Sequence, residues 1–190
     1  MTGFARSVGV VCALVGAAFA LSTCATLNED ECLSADWYQL GQSDGGAGQP
    51  SNYLELHREA CAKHGIPVND ALWYQGWQLG IRSFCTPQNG LLVGRDGKDY
   101  KNSCPADLAP EFLNAYQVGK RVHDARKELN EARSKLQKAL DDLAGAKDEE
   151  KQRLTIEAET LRTQVFGAEI RAQSAEANYD RYLADLSRGF

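Results

Sequence analysis

The chain has few of the residues on which acid–base and metal chemistry rest. Its 190 residues include three histidines and one methionine. It contains no P-loop, dinucleotide fingerprint, nucleophile elbow or metalloprotease helix. Basic charge is in deficit, with a formal charge of −5 and a pI near 5.3, which excludes an electrostatic nucleic-acid footprint. No apolar run reaches the roughly 20 residues of a membrane-spanning helix. From Gly119 to Phe190 there is no proline, cysteine or tryptophan. What remains is an ordinary globular composition, 43% apolar and 25% charged, with room for one or two domains.

Residues 1–23 carry a single charge, Arg6, followed by the apolar stretch Val8–Leu21. A short positive start, a short apolar run and small residues at its end predict a secretory signal peptide. Leu21-Ser22-Thr23-Cys24 resembles the lipobox of bacterial lipoproteins, with Thr23 where Gly, Ala or Ser is usual. The resemblance implies that Cys24 becomes the first mature residue and is lipidated on its thiol. With Ala25 rather than Asp after it, it also implies an outer-membrane destination. Two or three fatty chains anchor stably where one does not.

The cysteine count agrees. Cys12 leaves with the leader, and an odd five remain: Cys24, Cys32, Cys61, Cys85 and Cys104. A lipidated Cys24 leaves four, enough for two disulfides in any of three connectivities.

The mature chain divides near Gly119 into residues 24–118 and residues 119–190. The first part holds 6 basic against 12 acidic residues and the second 14 against 14, so the first carries the whole net charge. Tyr38-Gln39-Leu40-Gly41, Trp77-Gln78-Leu79-Gly80 and Tyr116-Gln117-Val118-Gly119 recur at intervals of 39 residues. Repeated helical packing units or chance recurrence of a short pattern both account for this. Capping residues predict helices over 30–42, over Tyr53–His64 with Ser51 as N-cap, from Asn69 or Asp70 toward Cys85, and from Asp107 through Tyr116. Asn89-Gly90 and Asp96-Gly97 flank Leu91–Gly94 and Lys98–Lys101, which predicts a small β-hairpin. The first part is therefore expected to be a small disulfide-stapled α-rich module with one hairpin.

Cys32, Ala35-Asp36-Trp37, Gly41 and Asp44-Gly45 resemble the opening of the DUF2799 family, uncharacterised bacterial envelope proteins that are commonly lipoproteins. His57, Cys61, Gly80, Cys85, Thr86, Gly90, Gly94, Gly97, Tyr100 and Cys104-Pro105 continue the likeness, which covers about Leu27 to Arg121. It implies an envelope location and no particular reaction.

Beyond Gly119, Val122, Ala125, Leu129, Ala132, Leu136, Ala139 and Leu143 alternate steps of three and four. Leu154, Ala158, Leu161, Val165, Ala168, Ala172, Ala175, Tyr179, Tyr182 and Leu186 repeat the pattern. This is a heptad stripe and predicts a coiled coil. Gly145 and the charged run 147–151 interrupt it. A helical hairpin or one long helix fits, and the hairpin is preferred because mid-helix glycine costs about 1 kcal/mol and acidic residues suit a new N-terminus. The second run is the longer, which leaves length for the module, another copy or a partner.

Several residues invite sharper readings. His57, Cys61 and His64 share a helix face and suggest redox or metal handling, although a fourth ligand is not evident and Cys61 is wanted for a bridge. Asp44 falls in the Gly-rich stretch Asp44-Gly45-Gly46-Ala47-Gly48, expected to be a loop that ends the 30–42 helix, and alone it lacks the ligand count for calcium. Trp37, Trp73 and Trp77 suggest a glycan platform, or simply a core. No catalytic residues, cofactor or metal are expected. The expected protein is a mainly α, outer-membrane-anchored periplasmic lipoprotein acting as a non-enzymatic adaptor, spacer or accessory subunit through residues 119–190. A small-ligand or glycan-binding module and a redox or metal-handling protein are the alternatives.

Overall fold

The computed structural model describes residues 26–188. The leader, residues 1–23, and Cys24 lie outside the described residues. Seven helices follow in order: α1 Glu29–Ser34, α2 Trp37–Gly46, α3 Leu54–Ala62, α4 Asp70–Phe84, α5 Pro87–Arg95, α6 Ala109–Gly145 and α7 Asp148–Arg188. Among the described residues there is no strand, and no helix is long and apolar enough to cross a membrane.

The expected hairpin is absent because Asn89-Gly90 is not a turn. Thr86 accepts from the Asn89 amide and Pro87 occupies the first turn, so α5 starts there and runs through Leu91–Gly94. Gly97, at φ +70°, follows the helix end in the left-handed conformation that favours glycine. The single helix expected over 30–42 is two. Asp36 accepts from the Gln39 amide and starts α2, which then runs through the glycines expected to form a loop.

Those glycines are consumed by packing. Gly41 and Gly45 on α2 face Gly76 and Gly80 on α4 so closely that a Cβ on any of them would lie within 3.0 Å of the partner's backbone. Gly41 opposes the Trp73 carbonyl and Gly76 opposes the Tyr38 carbonyl, each reciprocating the other. Small residues four apart let two helix backbones touch. On α5 and α6 the arrangement recurs: Gly90 opposes Phe112, Gly94 opposes Tyr116, and Gly119 opposes Leu91, with Ala115 fully buried one turn earlier.

The two helix pairs are copies. Moving 49 residues along the first helix of the pair takes Gly41, Gly45 and Gly48 to Gly90, Gly94 and Gly97. Moving 39 along the second takes Trp73, Gly76, Trp77, Gly80 and Phe84 to Phe112, Ala115, Tyr116, Gly119 and His123. Equivalent contacts recur. Gly48 and Gly97 both have positive φ, and each packs under the ring at the corresponding position, Phe84 or His123. Trp77 Nε1–H donates to the Gln49 carbonyl, and Tyr116 O–H donates to the Lys98 carbonyl. Each unit has its own disulfide, Cys32–Cys61 and Cys85–Cys104. Thus the 39-residue recurrence is structural for Trp77 and Tyr116, while the Tyr38 copy lies on the opposite helix of its pair.

The change of composition at residue 119 falls inside α6, which runs unbroken from the second unit to the tip of the arm. The chain turns at Ala146-Lys147, and α7 returns antiparallel, so the hairpin forms rather than one long helix. Arg126–Glu176, Glu128–Arg171 and Arg133–Glu169 pair across it. Every heptad position named above is buried or half-buried. The two helices are nearly equal, 37 and 41 residues, because α6 begins at Ala109. The end of α7 packs back on the module. Tyr179 is buried with Leu91, Ala115, Val118 and Val122, and the Arg95 guanidinium lies 4.6 Å above its ring.

Candidate functional site

A buried chain of polar groups links the first described residue to the core of the first unit. Thr26 Oγ1 lies 2.9 Å from His57 Nδ1. His57 Nε2 lies 2.9 Å from Asp44 Oδ2, and Trp73 Nε1–H donates to that same oxygen at 2.9 Å. His57 is 2% exposed and Trp73 fully buried. A carboxylate only accepts, so His57 carries its proton on Nε2. In the neutral ring Nδ1 then accepts, and the Thr26 hydroxyl donates to it. With the ring neutral the groups form a directed relay, Thr26 to His57 to Asp44, and Trp73 donates to the same carboxylate.

Local structure explains each placement. Asp44 sits on α2 between the two close-packed helices, on the turn between Gly41 and Gly45. His57 lies on α3 one turn before Cys61, and the Cys32–Cys61 bond holds α1 on that helix. Tyr53 packs edge-on to the His57 ring, with centroids 5.2 Å apart. Outside the relay, Glu29 meets His64 at 3.4 Å, a further contact between the start of α1 and the turn after α3.

In hydroxyl–imidazole–carboxylate order the relay has the polarity of a general-base set. Among the described residues, clefts of about 670 and 630 Å³ on α2 and on the arm are lined by other side chains. What the relay does provide is a fixed attachment for Thr26.

The second unit serves as an internal comparison. Asp44 corresponds to Val93 and Trp73 to Phe112, both buried in an apolar cluster with Tyr100 nearby. The glycine-packed helix pair therefore folds without a carboxylate at this position.

The other sequence-predicted residues fall as follows. Cys32, Cys61, Cys85 and Cys104 are all in disulfides, Cys32 with Cys61 and Cys85 with Cys104. His57, Cys61 and His64 are engaged with three different partners, Thr26 and Asp44, Cys32, and Glu29, and do not converge. Among the described residues no group of three or more His, Cys, Asp or Glu side chains is placed to hold a metal ion. Trp37 and Trp73 are core, and Trp77 is half-buried and stacked on Trp73 at 6.2 Å. Asp44 is the acceptor of the relay rather than a loop residue. Thr26 carries no signal in the sequence, because a hydroxyl 31 residues before its acceptor, His57, forms no local pattern.

A cleft of about 500 Å³ lies where the two units meet, lined by Trp77, Gln78, Arg82, Asn102 and Ser103 among others. The Ser103 hydroxyl beside it is buried without a hydrogen-bond partner.

The outer face of α7 is unlike the rest of the arm. Ile156, Phe166 and Ile170 are 62%, 63% and 51% exposed, and with Thr163 they follow heptad steps of seven, three and four.

Fold and site together define a duplicated, disulfide-stapled helical module that carries a helical arm. Residues 36–121, nearly all of the module, match the model of the family described as Protein of unknown function (DUF2799), and the module belongs to that family. No curated protein and no solved structure matches the chain.

Proposed function

We propose that this protein is a lipoprotein of the outer membrane, facing the periplasm, that works without catalysis as an adaptor or spacer in an envelope assembly. The leader and the Leu21–Cys24 pattern support the anchor, and two disulfides suit an oxidising compartment. The observation that carries the adaptor role is the outer stripe of α7. Its inner face is already covered by α6, so Ile156, Phe166 and Ile170 are surplus to the helical hairpin. Apolar anchors at helical spacing on an exposed face are a common mode of partner capture.

α6 gives that stripe a fixed position. From His123 to Gly145 it extends the second unit by about 33 Å at 1.5 Å per residue. Lengths alone no longer argue for a partner, because α7's distal end is occupied by the module.

The test places a photo-crosslinking residue at Ile170 in the native envelope, with Lys138 on α6 as a control. A single heterologous adduct at 170, absent at 138 and lost in a Phe166→Glu background, is the expected result. Adducts only to the same chain, or none, overturn the adaptor role.

A further inference from the structure

We propose that the Thr26–His57–Asp44 relay is a latch that holds the α1–α3 end of the module against the lipid surface. The inference rests on the lipoprotein reading, since it takes Cys24 as the anchor. Two residues span at most about 7 Å even fully extended. An acyl anchor at Cys24 therefore brings Thr26 to the headgroup layer, and Thr26 is hydrogen-bonded to a histidine that is itself buried. Three contacts tie the start of the chain to α3 or the residues after it: Thr26 to His57, Cys32 to Cys61, and Glu29 to His64. Without the first, the next tie after the anchor is Glu29 to His64, five residues on.

The duplication supports a role beyond folding. The second unit packs Val93 and Phe112 where the first places Asp44 and Trp73, so the helix pair does not need this buried carboxylate. Among the described residues the relay is found in the unit from which the chain leaves toward Cys24, and not in the other.

Two side chains on the latched elements suit an interfacial role. Leu33 on α1 is 68% exposed and Leu56 on α3, next to His57, is 45% exposed. Apolar side chains beside a lipid anchor add to binding through the area they bury in the headgroup–acyl boundary. The acidic first turn of α1 directs the choice of lipid. Glu29, Asp30 and Glu31 are all exposed, although Glu31 accepts from the Asn28 amide and Glu29 meets His64, and this suits a zwitterionic surface over an anionic one.

The test uses the full chain, purified with its native modification and reconstituted in vesicles of phosphatidylethanolamine and phosphatidylcholine. A photo-crosslinking residue replaces Leu33, Leu56 or, as control, Lys138, and intact mass reports acylation and lipid adducts. Lipid adducts at 33 and 56 but not at 138 are expected. Thr26→Val should cut their yield roughly fivefold, the shift that loss of one hydrogen bond produces, while both disulfides and the helical content persist. Acylated protein with no adduct at 33 or 56, or with yields unchanged by Thr26→Val, overturns the latch and leaves the lipoprotein reading standing. Protein whose intact mass carries no acyl chain overturns both.

Discussion

Gly76 and Gly46 are both helical glycines with opposite expected responses to alanine. At Gly76 a Cβ would strike the Tyr38 carbonyl, and both sides of that contact are backbone, so neither can rotate away. Gly76→Ala should lower the unfolding free energy by about 3 kcal/mol or more, since overpacking against rigid neighbours costs at the upper end of its range. Gly46 has nothing within 4 Å of its missing Cβ, and Gly46→Ala should be neutral or stabilise by about 0.5–1 kcal/mol. Urea titration of the two variants reads the difference, and equal effects would sink the close-packing account. At the relay, Asp44→Ala strands the His57 and Trp73 N–H donors in the interior. It should cost about 3 kcal/mol, whereas the same titration of Val93→Ala should show a smaller loss set by lost apolar area. The glycine pairs were legible in the sequence as small residues four apart: 41 and 45, 76 and 80, 90 and 94. At Asp44-Gly45 and Asn89-Gly90 the same glycines also read as turn signals, so the spacing alone does not decide between a loop and a close helix contact. The relay was not legible, because its members come from a bend and three helices, α2, α3 and α4, and only the fold brings them together.

Heptad spacing identified the inward positions of α6 and α7, because a two-helix contact imposes a period that survives in composition alone. The short helices were harder. α5 has nine residues, four of which are Gly, Pro or Asn, and propensity argues against a helix there. Packing against Phe112, Tyr116 and Gly119 overrides it. The end of α7 permits a test at this scale. Burial raises the Tyr182 phenol above its ordinary value near 10, partly offset by its hydrogen bond with Asn114. A raised pKa in the folded state means full stabilisation below the unfolded value and loss as pH climbs through the folded one. The docked end of α7 should therefore hold at neutral pH and weaken above about pH 10. Thermal melts of the parent and Tyr182→Phe should show the parent losing more Tm between pH 9 and 11 than the variant, by an amount on the order of a degree. Parallel curves would place Tyr182 outside the docking contact.

At the scale of the molecule, duplication accounts for most of the module. Two similar helix pairs, each closed by one disulfide, give a small core two cross-links where apolar area is limited. The bridges close loops of similar length, with sequence separations of 29 and 19 residues. Loop entropy varies slowly with length, so removing either pair by Cys→Ala should cost a similar amount, about 3 kcal/mol. Denaturant midpoints that fall for one pair and not the other would show the two units to be unequal in more than their side chains.

The unbroken run of α6 has a mechanical consequence. An object gripping the tip near Gly145 pulls on two helices whose far ends both enter the second unit, α6 through its glycine contacts and α7 through Tyr179. Force delivered there reaches the module as tension along one continuous backbone and shear across one helix contact, with no flexible joint between residues 109 and 145 to absorb it. The arm is thus a lever whose fulcrum is the second unit, while Thr26 is held at the first.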